Sequence, residues 1–264
     1  MNSIYRLRWG KLGMFALACA LAGNLHLPLA AQTNSSNSED DIEFSAPSAL
    51  TRRGRSRNRR GKRSRGGCST SVDAKQLTAI VPSVSAGLTL DGYPTFWAYI
   101  PYPTGDYHSI EFELFDERGN SIYVTQFAQT LDLPGIVSFR LPRTIEPLEV
   151  GKEYDWSVSV YCQAPESGEQ PTPVIWVSNA IQRVEPSDEL KKDLAGAIAE
   201  REQAIVYAKH GLWYDTLTKL GSLRRLGLAN GEWEQLLRDR EVNLSDLIPQ
   251  PIIDCCRPTG DEVE

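Results

Sequence analysis

Between residues 76 and 185 the apolar positions fall in short runs separated by turn-forming residues, the texture of an all-β segment. The runs are LTAIV (77–81), TFWAYI (95–100), IEFELF (110–115), SIYVTQFA (121–128), IVSFRL (136–141), EYDWSVSVYC (153–162) and PVIWVSNAI (173–181). DERGN, between the third and fourth runs, reads as a hairpin turn. Seven strands in this length predict two antiparallel sheets packed face to face, with a shared core between them.

The run at 153–162 is the best patterned. Tyr154, Trp156, Val158, Val160 and Cys162 alternate with Asp155, Ser157, Ser159 and Tyr161. Period two sends the first set to a core and the second to solvent. The lead-in LEVGKEY sets Leu148, Gly151 and Tyr154 in an L-x-x-G-x-x-Y pattern. This resembles the tyrosine corner of immunoglobulin-like and fibronectin type III sandwiches, in which a tyrosine hydroxyl pins the preceding turn. Trp97 is then expected between the two sheets. These aromatics read as packing, not as an active-site lining.

After RVEPS the period changes. Pro186 and Ser187 mark a helix start, and Asp188 and Glu189 suit its positive end. Leu190, Leu194, Ile198, Ile205 and Tyr207 fit helical spacing loosely. AIVYAKHGLWYDTLTKLGSLRRLG reads as two helices hinged at Gly211, and GEWEQLLRDR as a third that buries Trp233, Leu236 and Leu237. The spacing of Tyr207, Gly211, Tyr214 and Asp215 is similar to a tetratricopeptide helix pair, but no second copy follows at its period. The apolar tail LIPQPIIDCC is expected to dock back. The fold class is therefore β-rich α+β. A seven-strand antiparallel sandwich (68–185) precedes a helical region (186–256) packed on it, and an acidic tail (257–264) follows.

The N-terminal quarter changes the picture. Arg6, Arg8 and Lys11 precede the apolar run LGMFALACALAGNLHLPLA, the arrangement of a secretory signal over residues 1–31. Export to the periplasm or cell surface is the expectation, and it governs the cysteines. Cys19 leaves with the signal. Cys68, Cys162, Cys255 and Cys256 remain, an even number that suggests two disulfides in an oxidising compartment. Each of Cys255 and Cys256 is expected to join one of the distant pair, since a bond between neighbours closes a strained ring.

The formal charge of −6 conceals an asymmetry. Arg52, Arg53, Arg55, Arg57, Arg59, Arg60, Lys62, Arg63 and Arg65 put nine positive charges into fourteen residues with no acid. From Cys68 onward, 30 acids face 16 bases. Residues 32–67 are polar and lack apolar periodicity, so they read as a disordered linker carrying a basic arm. Such an arm binds anionic polymers through counterion release. Outside the cytoplasm that means acidic polysaccharide or phosphorylated lipid. Without interleaved aromatics it supports no specific nucleic-acid recognition.

No catalytic constellation stands out. His108 and His210 are the two histidines beyond the signal, and neither has a nucleophile context such as G-x-S-x-G. There is no phosphate loop, dinucleotide fingerprint or H-E-x-x-H, and no cysteine–histidine spacing of a zinc site. Neither a metal nor a cofactor is expected. Paired carboxylates of a glycosidase leave no motif, so an envelope polysaccharide hydrolase stays as a minor alternative. The leading expectation is a non-catalytic adhesion or scaffold module of the envelope. Exposed aromatics such as Tyr102, Tyr107 and Tyr161 would meet an envelope polysaccharide or another envelope protein. An anionic-polymer binder acting through the arm is the alternative.

Several stretches together carry a resemblance. They are LTAIVPSVSAGLTLDGYPTFWAYIPY, PGIVSFRLP, PLEVGKEYDWSVSVYC, WVSNAIQRVEPS, YAKHGLWYDTLTKLGSLRR and the terminal CC. Over roughly residues 77–256 the chain resembles the cyanobacterial domain-of-unknown-function family 928. The resemblance implies an exported protein of uncharacterised activity, with no catalytic residues to carry over. The glycine- and arginine-containing lead usual before the first cysteine is here a denser basic run, whose role the resemblance does not settle.

Overall fold

The computed structural model describes residues 41–47, 58–63, 76–83, 86–127, 132–163 and 175–253. They belong to one compact unit, residues 37–264. Its strands are β1 (Asn58–Arg63), β2 (Thr78–Ala79), β3 (Gly87–Thr89), β4 (Thr95–Ile100), β5 (Ser109–Phe115), β6 (Ser121–Phe127), β7 (Gly135–Arg140), β8 (Glu153–Tyr161) and β9 (Ile175–Arg183). The six longer runs read from the sequence all become strands. β1 and β3 do not show in the apolar pattern.

The strands form one sheet in the order β6-β5-β8-β9-β1-β2-β4-β7, with β3 added to β9 in parallel. This antiparallel sheet curls into a half-barrel and is not a pair of separate sheets, so the sandwich expectation is corrected. The cause is β1. It pairs with β9 on one side and β2 on the other, joining what would otherwise be two sheets.

β1 lies inside the segment expected to be a disordered basic arm. That expectation fails for residues 58–63, and also for 41–47. In the latter, Ile42 and Phe44 are buried, and the Phe44 ring meets Trp213 edge-on at 5.0 Å. Backbone N–H groups of Ile42, Phe44 and Ala46 donate to the side chains of Gln235, Asp239 and Glu241. Two apolar residues and three backbone donors suffice to dock a short polar segment once a complementary surface exists.

The helices are α1 (Asp188–Gly196), α2 (Glu200–Lys209), α3 (Trp213–Arg225) and α4 (Asn230–Arg238), followed by a 3-10 turn at Ser245–Leu247. Ser187 caps α1 by accepting from the Leu190 N–H at 3.1 Å. Ile198, expected within a helix, instead lies in the turn between α1 and α2. Trp233, Leu236 and Leu237 of α4 are buried. The tail docks beside β7, where Ile136 donates to the Pro251 carbonyl and Ile253 donates to the Ile136 carbonyl.

Sheet and helices share one core. β4 is buried along its whole length because both of its faces are covered. On the inner face Phe96 packs with Phe112 and Trp156 at 4.9 and 5.2 Å. On the other face Trp97 lies against the helices, 6.1 Å from the Trp233 ring and beneath the Arg225 guanidinium. Trp97 is thus a sheet–helix residue and not, as expected, an inter-sheet one. The indole N–H of Trp213 donates to the Ile80 carbonyl at 2.9 Å. That of Trp156 donates to the Tyr214 hydroxyl at 2.7 Å, which in turn donates to the Ala180 carbonyl. These two buried indoles keep partners, whereas the indole N–H groups of Trp97 and Trp233 are buried without one among the described residues.

The approach of α3 to β4 depends on Gly221, where an added Cβ would lie 2.2 Å from the Trp97 ring. Gly221→Ala is expected to destabilise the protein by about 2 kcal/mol, although alanine favours an isolated helix. A urea titration reads the difference, and an unchanged or raised midpoint would show that the helix is not so closely seated.

Burial also corrects part of the alternation in β8. Tyr154, Trp156, Val158 and Val160 face the core as expected, and Cys162 is half-buried beside it. Ser159 and Tyr161, expected to face solvent, are buried as well. Tyr102 and Tyr107, expected to be exposed, are buried in the β4–β5 connection. A curled sheet covers part of its outer surface with its own loops and helices, so strict two-face alternation breaks down at its ends.

Candidate functional site

The turn into β8 is built by the residues singled out from its pattern. Leu148 is buried, Gly151 has φ +81°, and the Tyr154 hydroxyl accepts from the Glu149 N–H at 3.0 Å. Arg183 ties the same turn to β9 by donating to the Leu148 carbonyl at 2.6 Å. This turn forms one wall of an open groove of ≈ 740 Å³ whose lining includes Asp116, Glu117, Ile122, Glu146, Glu149 and Tyr154. Ile122 belongs to β6, which among the described residues pairs with β5 alone and ends the sheet. Both Ile122 and Val124 of that strand are exposed.

A second recess, ≈ 320 Å³, lies where α3 meets the loop after β3 and is lined in part by Asp91, Tyr207, Asp215 and Lys219. Asp215 stands in the first turn of α3 and accepts from the Leu90 N–H at 3.1 Å and from the Thr89 hydroxyl. Thr89 in turn accepts from the Asp91 N–H at 3.1 Å. Asp215 keeps some contact with the recess, yet protein surrounds its carboxylate closely. Burial is the largest cause raising its pKa to about 7, and the hydrogen bonds from Thr89 and Leu90 only partly oppose it. The same carboxylate, after burial, pushes the Tyr207 hydroxyl up. From the sequence Asp215 was one member of a helical spacing. Its partner Leu90 is 125 residues away, so no local signal marks the site.

The basic segment has a different place from the one expected of it. The Arg59 guanidinium donates to the Val81, Val242 and Asn243 carbonyls, joining sheet and C-terminal region. Arg60 forms a two-pronged pair with Asp246 at 3.0 and 2.9 Å and donates to Thr78 Oγ1. These two cations act inside the fold. The backbone of Lys62 and Arg63 completes β1, where they pair with Trp176 and Ile175. Arg52, Arg53, Arg55, Arg57 and Arg65 lie outside the described residues.

Cys162 is not a free thiol. Cys68, Cys255 and Cys256 lie outside the described residues, as do the signal segment and the acidic tail. His210 meets Asp193 at 2.8 Å, which holds that carboxylate below its usual range. His108 is exposed in the β4–β5 connection, where its N–H bonds to the Tyr161 carbonyl. Among the described residues, no group of three or more His, Cys, Asp or Glu side chains is placed to hold a metal, and no helix is long and apolar enough to cross a membrane.

No curated protein matches the chain. A family model, Domain of Unknown Function (DUF928), matches residues 57–252, so the family region begins at β1 and extends further toward the N-terminus than the stretches that suggested it. From the strand that joins the two halves of the sheet to the tail that docks beside β7, the chain belongs to the DUF928 family.

Proposed function

We propose that this protein is an exported, non-catalytic binding or scaffold protein of the cell envelope that meets its partner on its folded body. The observation that carries this reading is the open groove beside the end strand β6, with Ile122 and Val124 exposed on that strand. A sheet edge offers backbone donors and acceptors to an extended segment, and an adjoining groove takes its side chains. The polar groups described elsewhere are engaged in holding the fold. Arg59 and Arg60 bind the C-terminal region, Asp215 holds the loop after β3, and His210 meets Asp193. Export is supported by the basic and apolar N-terminal pattern, and the proposed disulfides by Cys162 not being a free thiol.

The second reading, an anionic-polymer binder acting through the basic segment, now rests on fewer groups. Arg59 and Arg60 are withdrawn from it, which leaves seven of the nine cations, four of them the arginines of residues 52–57. One experiment separates the two. The protein, an Ile122→Lys/Val124→Lys variant and a 52–57 deletion are used to capture partners from an envelope extract across a salt series. A partner that persists at high salt and is lost only with the β6 variant supports recognition by the folded body. Loss on deletion together with a steep salt dependence shifts the function to the basic segment. Turnover of envelope polysaccharide by the purified protein would sink both.

A further inference from the structure

We infer that the end of the helical layer formed by the α1–α2 and α3–α4 turns is a lipid-docking surface, at which Ile198, Leu226 and Leu228 enter a bilayer interface. These three are the most exposed large apolar side chains among the described residues, at 89%, 71% and 68%. They come from two different turns, yet they stand at the same end of the layer. The start of α2 is tied to the start of α4 by the Arg201–Glu232 ion pair, and to the middle of α3 by Lys219–Glu200 at 3.1 Å.

Neither turn is loose. In the first, the Ile198 and Ala199 N–H groups both donate to the Glu202 carboxylate, at 2.8 and 3.0 Å. In the second, the Leu228 N–H donates to the Leu223 carbonyl and the Gly227 N–H to that of Arg224, with Gly227 at φ +75°. That is a Schellman helix end, in which the residue at the Leu228 position usually folds back onto the helix to make an apolar contact. Here Leu223 is buried while Leu228 points outward. The chain thus holds an aliphatic side chain in solvent at a position where an internal partner is normally at hand.

The surroundings fit a lipid interface better than a protein. Residues 197–199 and 226–231 carry no charge. The acids beside them are engaged, Glu200 by Lys219, Glu202 by backbone, Glu232 by Arg201 and Glu234 by Arg238. Arg224 and Arg225, just behind the tips, are held by the fold, laid over Trp233 and Trp97 and donating to the Ile248 carbonyl and Ser138 Oγ, so the apolar tips alone carry the contact. Three aliphatic tips offer on the order of 300 Å², against about 800 Å² per partner in a stable protein interface. Insertion into a headgroup boundary needs protruding apolar points, not a broad complementary face.

The test compares the full chain with an Ile198→Ser/Leu226→Ser/Leu228→Ser variant. Sedimentation is measured with vesicles of phosphatidylcholine alone and of phosphatidylcholine with phosphatidylglycerol. The N-terminal apolar segment is common to both proteins, so the ratio between them reports the turns. Binding of both vesicle types that falls at least tenfold in the variant is expected, with amide exchange at residues 198–199 and 226–228 slowed by vesicles in the unsubstituted chain. All three side chains are exposed, so the unfolding midpoint should not move. Equal binding by the two proteins, or no binding by either, overturns the inference. So does adhesion restricted to phosphatidylglycerol and insensitive to the substitutions, which assigns it to the basic segment. Self-association in the absence of lipid that the variant abolishes would make the surface a protein interface instead.

Discussion

Deletion of residues 58–63 is expected to abolish cooperative folding, whereas deletion of the equally basic residues 52–57 is expected to leave the unfolding transition in place. The asymmetry follows from sheet order. Among the described residues β1 alone joins β9 to β2, so its loss separates the β6-β5-β8-β9 half of the sheet from the β2-β4-β7 half. The interior strands would gain new edges, and the Val81, Val242 and Asn243 carbonyls would lose the Arg59 donor that links them. Val81 and Val242 are buried, and an unmet buried carbonyl costs about 1–3 kcal/mol, a sizeable part of the ~5–15 kcal/mol that holds a typical domain together. Circular dichroism with urea titration of the two deletions decides it. A cooperative transition retained without residues 58–63 would mean that the strand is an accessory. The result also governs how the basic segment can be studied, because a deletion spanning 52–65 removes fold and charge together.

The second large effect is a pH dependence at Asp215. Its pKa is raised from 3.8 when unfolded to about 7 when folded, chiefly by burial. The folded state therefore favours the protonated form. Its contribution is fully present below pH ~4, is lost as pH rises toward 7, and is absent above that. Asp215→Asn keeps an acceptor for the Leu90 N–H and removes the charge. Relative to the unsubstituted protein the variant should gain stability between pH 4 and 8. The shift alone corresponds to roughly 4 kcal/mol. Water in the adjoining recess screens part of it, so a gain on the order of 2 kcal/mol is expected. Asp91, which lines the same recess, adds to the upward shift. Urea midpoints of both proteins across this range give the difference directly. A difference that does not change with pH would show that Asp215 is ionised throughout.

The legible parts of the fold were those whose signal is local. The runs at 95–100, 110–115 and 153–161 are strands because alternating or continuous apolar residues must leave water on one or both faces. The corner at Leu148, Gly151 and Tyr154 is spelled out within seven residues, and its hydrogen bond spans five positions. The helix start at Ser187, the break at Gly211 and the buried face of α4 are likewise short-range features. Family membership was also readable, from ordered stretches along most of the chain.

Tertiary structure alone decided the rest. NRRGKR carries no apolar residue, so nothing in it announces a strand. It is one because β9 and β2 present two open edges and because Asp246, nearly 190 positions on, matches Arg60. Trp97 and Phe96 point to opposite sides of a strand covered on both faces, which pattern cannot tell from a strand with one core. The buried Tyr102, Tyr107 and Tyr161, and the raised pKa of Asp215, likewise depend on groups distant in sequence. Local pattern reports what a segment gains by leaving water, whereas pairing, desolvation and charge neutralisation are set by whatever the rest of the chain brings to it.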